Sequence, residues 1–255
     1  MVYEELREIP ASGVTMVAGL ELGRQPMADP PWAEGLSGFG HADPAYLPAG
    51  YVDALAYQAP VVAMNVHLPW LLDELAARGV RMVCRRVESI DEAVQVAGTV
   101  VNATGLGARE LVPDGSVYPV RGQVLRLSNP GLTQFRLDYH HPGGLTYVVP
   151  RIDDVIVRGS DQEHSWDTAV DEAEAEAILE HCRALCPELA DAEVLGRSVG
   201  LRPARPRVRV ELEAISLGRV CHNYGHGGAG VTTAWGCAED VVAILEESTG
   251  ARRGR

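Results

Sequence analysis

One segment constrains this chain more than any other: RVCHNYGHGGAGVTTAWGCAEDVVAILEES, from Arg219 to Ser248. It reads as a strand over Arg219–Tyr224, a glycine-rich turn, and a helix from Val231 onward. The turn, Gly225-His226-Gly227-Gly228-Ala229-Gly230, fits the pattern GxGxxG. Glycines there permit positive φ and let the backbone approach another group closely. The helix behind them aims N–H groups and the positive end of its dipole at whatever lies over the turn. An anion or an electron-rich ring edge suits such a place, and so does simple packing. A dinucleotide pyrophosphate site is not expected, because that unit needs a further strand and an acidic residue about 20 positions on.

Composition narrows the chemistry. Basic side chains number 22, acidic ones 35, and the formal net charge is -13. Every basic residue is arginine; the sequence contains no lysine. Schiff-base chemistry and a GxxxxGK phosphate loop are therefore excluded. The acidic balance argues against a nucleic-acid surface. The densest basic run, Arg202, Arg205, Arg207 and Arg209, is short and has no aromatic interleaving. Five cysteines show no CxxC pair, which fits free thiols in a reducing cytoplasm. Cys182, Cys186 and His181 lie close in sequence, but a closed zinc site needs four ligands, so no metal is expected. No apolar run approaches the roughly 20 residues of a membrane span.

The chain opens on VYEELREI, which reads as the end of an amphipathic helix without a cap. Residues 27–50 are Pro/Gly-rich and read as loop. Residues 67–79 form a helix with Leu68, Leu71, Leu72 and Leu75 on one face and Gly79 as its stop. A strand and its exit follow in VRMVCRRVES, then a short helix in DEAVQVAG, then a strand and turn in TVVNATG. That alternation predicts a mixed or parallel sheet. Farther on, VRGQVLRL alternates, and LTYVVPR and VIVRGS form a hairpin joined at Asp153-Asp154. A helix capped by Asp167 or Thr168 runs to Pro187. RSVGLRPARPRVRVELE is extended because Pro203 and Pro206 exclude a helix. These central segments predict an antiparallel domain interleaved with the first.

GLRPARPRVRVE followed by HNYGHGGAGVTTAWG resembles the C-terminal half of the D-amino-acid oxidase family, FAD enzymes that include D-aspartate oxidase. RGVRMVCRRVES, VVNATGLGARELV, VRGQVLRL and TYVVPR continue the likeness upstream, in the family's order, over nearly the whole chain. The fold this resemblance implies is α/β with two interleaved domains. One is an incomplete FAD-binding Rossmann-like domain and the other a mostly antiparallel, mixed-sheet substrate domain. The substrate domain takes residues 1–65 and 118–205, the FAD domain 66–117 and 206–250, and 251–255 form a tail.

The resemblance also implies roles. Arg202 binds the substrate α-carboxylate, a task that suits the planar guanidinium fork. The Tyr147 hydroxyl contacts the same carboxylate, and the Gly228 carbonyl accepts from the substrate amine. Gly227, Gly228, Ala229, Gly230, Val231 and Thr232 wrap the flavin ring and ribityl chain, and the helix stabilises negative charge at the reduced ring. Thr104 and Val87 are further FAD contacts. Hydride passes from a D-amino acid to flavin N5; oxygen then yields hydrogen peroxide, and the imino acid hydrolyses to a 2-oxo acid and ammonia. No acid–base residue is implied, so His226 is read as a polar spacer. His140 and His141 are read as an exposed loop tip, and the second active-site tyrosine of some family members has no match there.

Family members begin with a strand, a GxGxxG and a helix that hold the FAD diphosphate, and nothing before residue 60 matches that unit. The expectation is a piece of a longer oxidase; the alternative is a non-catalytic remnant or interaction module that does not hold FAD alone. A D-aspartate preference would need a further cation, for which Arg136 and Arg151 are the candidates by sequence proximity. The expected setting is cytoplasmic, with a D-amino acid and oxygen as small-molecule partners and a homodimer as one option for assembly.

Overall fold

In the computed structural model, which describes residues 2–36 and 38–250, regular structure follows the hydrophobic periodicity of the chain. The expected tail, 251–255, lies outside the described residues. In chain order the elements are α1 (Val2–Leu6), β1 (Val14–Gly23), β2 (Gly40–His41), β3 (Asp53–Val62), α2 (Met64–Ala77), α3 (Ile90–Ala97), β4 (Thr99–Asn102) and α4 (Ala108–Leu111). Then come β5 (Tyr118–Ser128), β6 (Gln134–Asp138), β7 (Thr146–Pro150), β8 (Asp154–Arg158), β9 (Gln162–Glu163), α5 (Glu172–Leu185), β10 (Val194–Ile215), β11 (Gly218–His226) and α6 (Gly230–Gly250).

The fold is mixed α/β, and its segments interleave in two units. The first comprises Met1–Met82, Gly122–Asp161 and Ala169–Val199; the second Val83–Arg121, Gln162–Thr168 and Gly200–Arg255. The sequence placed the boundaries at 65, 117 and 205. The largest difference is α2, which goes with the first unit.

The first unit is built on a mixed sheet in the order β2-β3-β1-β6-β7-β8-β5. β1 pairs antiparallel with β3 along its length, from Val14 opposite Val62 to Gly23 opposite Asp53, and parallel with β6. Alternation sends successive side chains to opposite faces. One face carries Leu22, Leu125, Leu127, Val148, Val155 and Val157, buried against Ala175, Ile178, Leu179 and Cys182 of α5. Each large apolar side chain so buried contributes about 1.5–3 kcal/mol. The other face carries Gly19, Glu21, Tyr57, Phe135, Leu137 and Tyr147. At Gly19 a Cβ would fall 2.3 Å from the Phe135 ring, so only glycine lets that ring cross the strand.

α5 forms because its apolar residues recur at helical spacing and its ends are suited to the dipole. Asp171 caps it by accepting from the Glu174 N–H at 3.1 Å, acids fill the first turn, and Arg183 sits in the last. The cap is therefore Asp171, four residues beyond Asp167. The Asp167 carbonyl instead accepts from Arg121, and the side chain of Gln123 brackets Asp171, bonding its N–H and its carbonyl.

In the second unit β10 and β11 form a long antiparallel pair, and β4 joins β11 in parallel. The β10 register slips between Ala204 and Arg209. That irregularity accommodates Pro206, which cannot donate to a ladder. α3 is capped by Ser89, whose hydroxyl accepts from the Glu92 N–H, and stops at Gly98 in the left-handed region.

The strand expected over VRMVCRRVES does not form: residues 80–89 have no regular structure. A strand exists only through its ladder, and no described strand pairs with this segment. Val80, Met82 and Val83 are 46%, 55% and 62% exposed as a result. α2 likewise leaves Leu68 and Leu72 exposed.

Candidate functional site

The glycine-rich turn is held from beneath by a charged network in the second unit. Asp114 accepts from the Tyr224 hydroxyl and from Arg205 Nε, both at 2.9 Å, and from Ser116. Burial alone would raise the Asp114 pKa; the bonds from Ser116, Tyr224 and Arg205 outweigh it and hold the carboxyl well below its ordinary range. Arg209 donates to the Tyr224 oxygen at 2.8 Å and pairs with Glu211 and Glu213. Tyr224, almost fully buried, thus ties the RPARPRVR strand to the strand that ends in the turn.

A second chain of bonds fixes the NATG turn. Asn102 Oδ1 accepts from the Thr104 N–H and from the Thr104 hydroxyl at 2.7 Å. That orientation aims Asn102 Nδ2 at Nδ1 of buried His222, 3.3 Å away. His222 Nδ1 is therefore an acceptor, and Nε2–H donates to Glu213 at 3.0 Å. Burial lowers the His222 pKa despite Glu213, so the ring is neutral at pH 7.

The turn itself uses glycine where only glycine serves. Gly225 has φ of +89°, and a Cβ there would lie 2.7 Å from Arg205 Cβ. Gly227 also has positive φ, +55°. At Gly227, Gly228 and Gly230 an added Cβ would meet protein atoms no nearer than 3.6 Å. The chain is thus slim here and not crowded by its own residues. α6 starts at Gly230 with no acid in its first turn to compete for the dipole.

Within this unit the structure brings several expected residues together. Arg202 lies beside Gly228, its Cδ 3.6 Å from where a Gly228 Cβ would be, and its Nη1 donates to the Val120 carbonyl at 3.4 Å. Gly105, next to Thr104, abuts Pro203, the neighbour of Arg202. Ala229, Val231 and Thr232 follow on the exposed mouth of α6. The Thr104 hydroxyl donates inward to Asn102. Val87 is half-buried on the irregular 80–89 segment, between the Arg86–Glu88 pair and the Arg85–Glu92 pair. His226 sits 3.4 Å from Cys237 Sγ, and burial lowers its pKa.

Tyr147 belongs to the first unit. It stands on β7 opposite Leu137 on one side and Arg158 on the other. The Arg158 guanidinium lies 5.5 Å from its ring centroid. His140 is exposed, but His141 packs on His181 with ring centroids 4.6 Å apart, so the loop tip folds back. Arg136 points to the α5 face and pairs with Glu188 at 2.7 Å. Arg151 makes a fork to Asp154, 2.6 Å on each arm. Neither is the spare cation that a D-aspartate preference would need. Cys182 and Cys186 are buried thiols, pushed up to about 12 by burial, and no metal-binding group of three or more His, Cys, Asp or Glu occurs among the described residues.

Sequence reasoning missed Glu21 and Tyr139. Glu21 shares the Tyr147 face of the sheet, and burial raises its pKa against a 3.4 Å bond from Tyr57. The pKa of Tyr139 is raised by partial burial and then by Glu21 and Tyr147, which places it within electrostatic reach of both. Neither position carries a motif.

The family described as "DAO: FAD dependent oxidoreductase" matches residues 24–244. The chain belongs to this family. The D-amino-acid oxidase of Rubrobacter xylanophilus is 47% identical over 245 residues, covering 95% of this chain and 75% of that protein. The D-amino-acid oxidase of Streptomyces coelicolor is 43% identical, over 95% of this chain and 76% of that protein. The glycine oxidase structure from Geobacillus kaustophilus superposes with a TM-score of 0.72 at 18% identity, over 96% of this chain and 75% of that one. The DAO family is FAD-dependent. The residues here fit part of that cofactor: glycines that keep the approach open, and a helix dipole suited to the ring's electron-rich edge. No helix among the described residues is long and apolar enough to cross a membrane.

Proposed function

We propose that this chain carries an FAD-dependent oxidase of D-amino acids, releasing an imino acid that hydrolyses to a 2-oxo acid and ammonia. The observation that carries the reading is Arg202 seated beside Gly228 at the start of α6, in a chain whose relatives are named D-amino-acid oxidase. FAD, when bound, supplies the acceptor for the α-hydrogen and its two electrons, with oxygen leaving as hydrogen peroxide.

The chain's own share is orientation. The Arg202 guanidinium, steadied through Nη1 on the Val120 carbonyl, presents its fork to the α-carboxylate. For Tyr147, on β7 of the first unit, the family resemblance implies a carboxylate contact through its hydroxyl. The Gly228 carbonyl accepts from the neutral amine and so keeps the lone pair available as the α-carbon is oxidised. Thr104 serves by shape, as the turn that brings Gly105 against Pro203, and Val87 as an apolar contact for the cofactor. With the substrate fixed at these points, orientation supplies the catalysis and no side chain need remove a proton from carbon. The five free thiols suit a cytoplasmic setting.

Arg202→Leu should lower kcat/KM roughly 10²- to 10³-fold, the scale of losing a charge-paired fork, with the circular dichroism spectrum unchanged. Normal turnover in that variant overturns the reading.

A further inference from the structure

We propose that the cavity on the Tyr147 face of the first unit receives the substrate side chain, and that Glu21 makes it select D-amino acids with a cationic side chain. This rests on the oxidase reading above.

The sheet register carries the argument. Glu21 lies opposite Leu137, Leu137 opposite Tyr147, and Tyr147 opposite Arg158. These four residues form one row across the sheet, on the face turned away from the α5 core. Two strand spacings of about 4.8 Å separate the Glu21 and Tyr147 backbones, hence roughly 10 Å. A substrate whose carboxylate meets Tyr147 can therefore lay an extended arginine- or lysine-like side chain along the row toward Glu21.

There is room for it. A cavity of about 890 Å³ opens over this face, lined by Glu21, Arg24, Trp32, Leu55, Tyr57 and Tyr139. Trp32 and Tyr57 pack edge to face, with centroids 5.3 Å apart. Such a wall takes an aliphatic stem and favours a cation near its rings.

The charge balance selects the sign. Arg24 is committed: it pairs with buried Asp138 and donates to Tyr51, which itself donates to Asp138 at 2.7 Å. Arg158, at the far end of the row, is held by the Ser160 carbonyl and by Asp161. Arg136 and Arg151 are paired elsewhere. Among the described residues Glu21 has one weak bond, 3.4 Å from the Tyr57 hydroxyl, and His140 lines the same cavity. Partial burial with so few donors leaves a carboxylate that gains from a ligand cation.

The test compares D-arginine with D-citrulline, its uncharged near-isostere, on the FAD-loaded full chain. D-arginine should exceed D-citrulline in kcat/KM by roughly ten- to a hundredfold, the scale of one charge-assisted bond. In Glu21→Gln the ratio should fall to near unity. A ratio near one in the wild type, or an unchanged ratio in Glu21→Gln, overturns the assignment. Agmatine binding by calorimetry, with no turnover needed, separates the two readings. Agmatine that binds the wild type and fails to bind Glu21→Gln, with no D-amino acid oxidised, keeps the cavity and rejects the oxidase. Oxidised D-citrulline with no D-arginine preference and no agmatine binding keeps the oxidase and rejects the cavity.

Discussion

Replacing Tyr224 by phenylalanine removes one oxygen from the second unit and leaves its volume intact. That oxygen donates to Asp114 at 2.9 Å and accepts from Arg209 at 2.8 Å. Hydrogen bonds to charged groups are worth about 1.5–3 kcal/mol each. Both partners keep other bonds, Asp114 to Ser116 and Arg205, and Arg209 to Glu211 and Glu213. The net loss should therefore sit near the value of one bond, about 2–3 kcal/mol, which for a chain of this size lowers Tm by roughly 5–10 °C. Asp114 has a lowered pKa, so its contribution is present above its unfolded pKa of about 3.9 and is lost as pH falls toward the folded value. The loss should accordingly be complete at pH 7. The assay is thermal and urea unfolding at that pH, with Asp114→Asn completing a double-mutant cycle. A loss under about 0.5 kcal/mol, or no coupling between the two changes, would refute the claim that this network holds the turn.

Gly225→Ala should cost roughly 1–3 kcal/mol, since it places a side chain at positive φ and against Arg205; an unchanged Tm contradicts the turn geometry. His222 has a lowered pKa in the fold, so its neutral form stabilises fully above its unfolded value of about 6.5, and that contribution is lost as pH falls. Between pH 7.5 and 5.5 the wild type should lose more stability than His222→Gln, and parallel stability curves would reject the Glu213–His222–Asn102 relay.

Much of the second unit was legible because its signals are local. The β11 strand, the glycine turn and the α6 helix lie consecutively, and each has its own periodicity or φ requirement. α5 was legible for the same reason, although its cap lies four residues beyond the first candidate because Arg121 and Gln123, nearly fifty residues away, organise that stretch. Residues 80–89 carry a strand's composition without a ladder, and composition cannot supply the partner. Arg136 and Arg151 illustrate the other limit. Nearness in sequence put them by active-site segments, but alternation sends Arg136 to the opposite face, and the hairpin turn gives Arg151 to Asp154. Glu21 was invisible because its place depends on β1 pairing in parallel with β6, more than a hundred residues on.

The measurement that tests the central claim most directly is the visible spectrum of the purified chain supplied with FAD, recorded under nitrogen as amino acid is added. The account predicts a bound-flavin spectrum that is bleached by a D-amino acid, is untouched by its L-enantiomer, and no longer responds in Arg202→Leu. Bleaching by both enantiomers alike, or a flavin that remains oxidised with every D-amino acid offered, would contradict it.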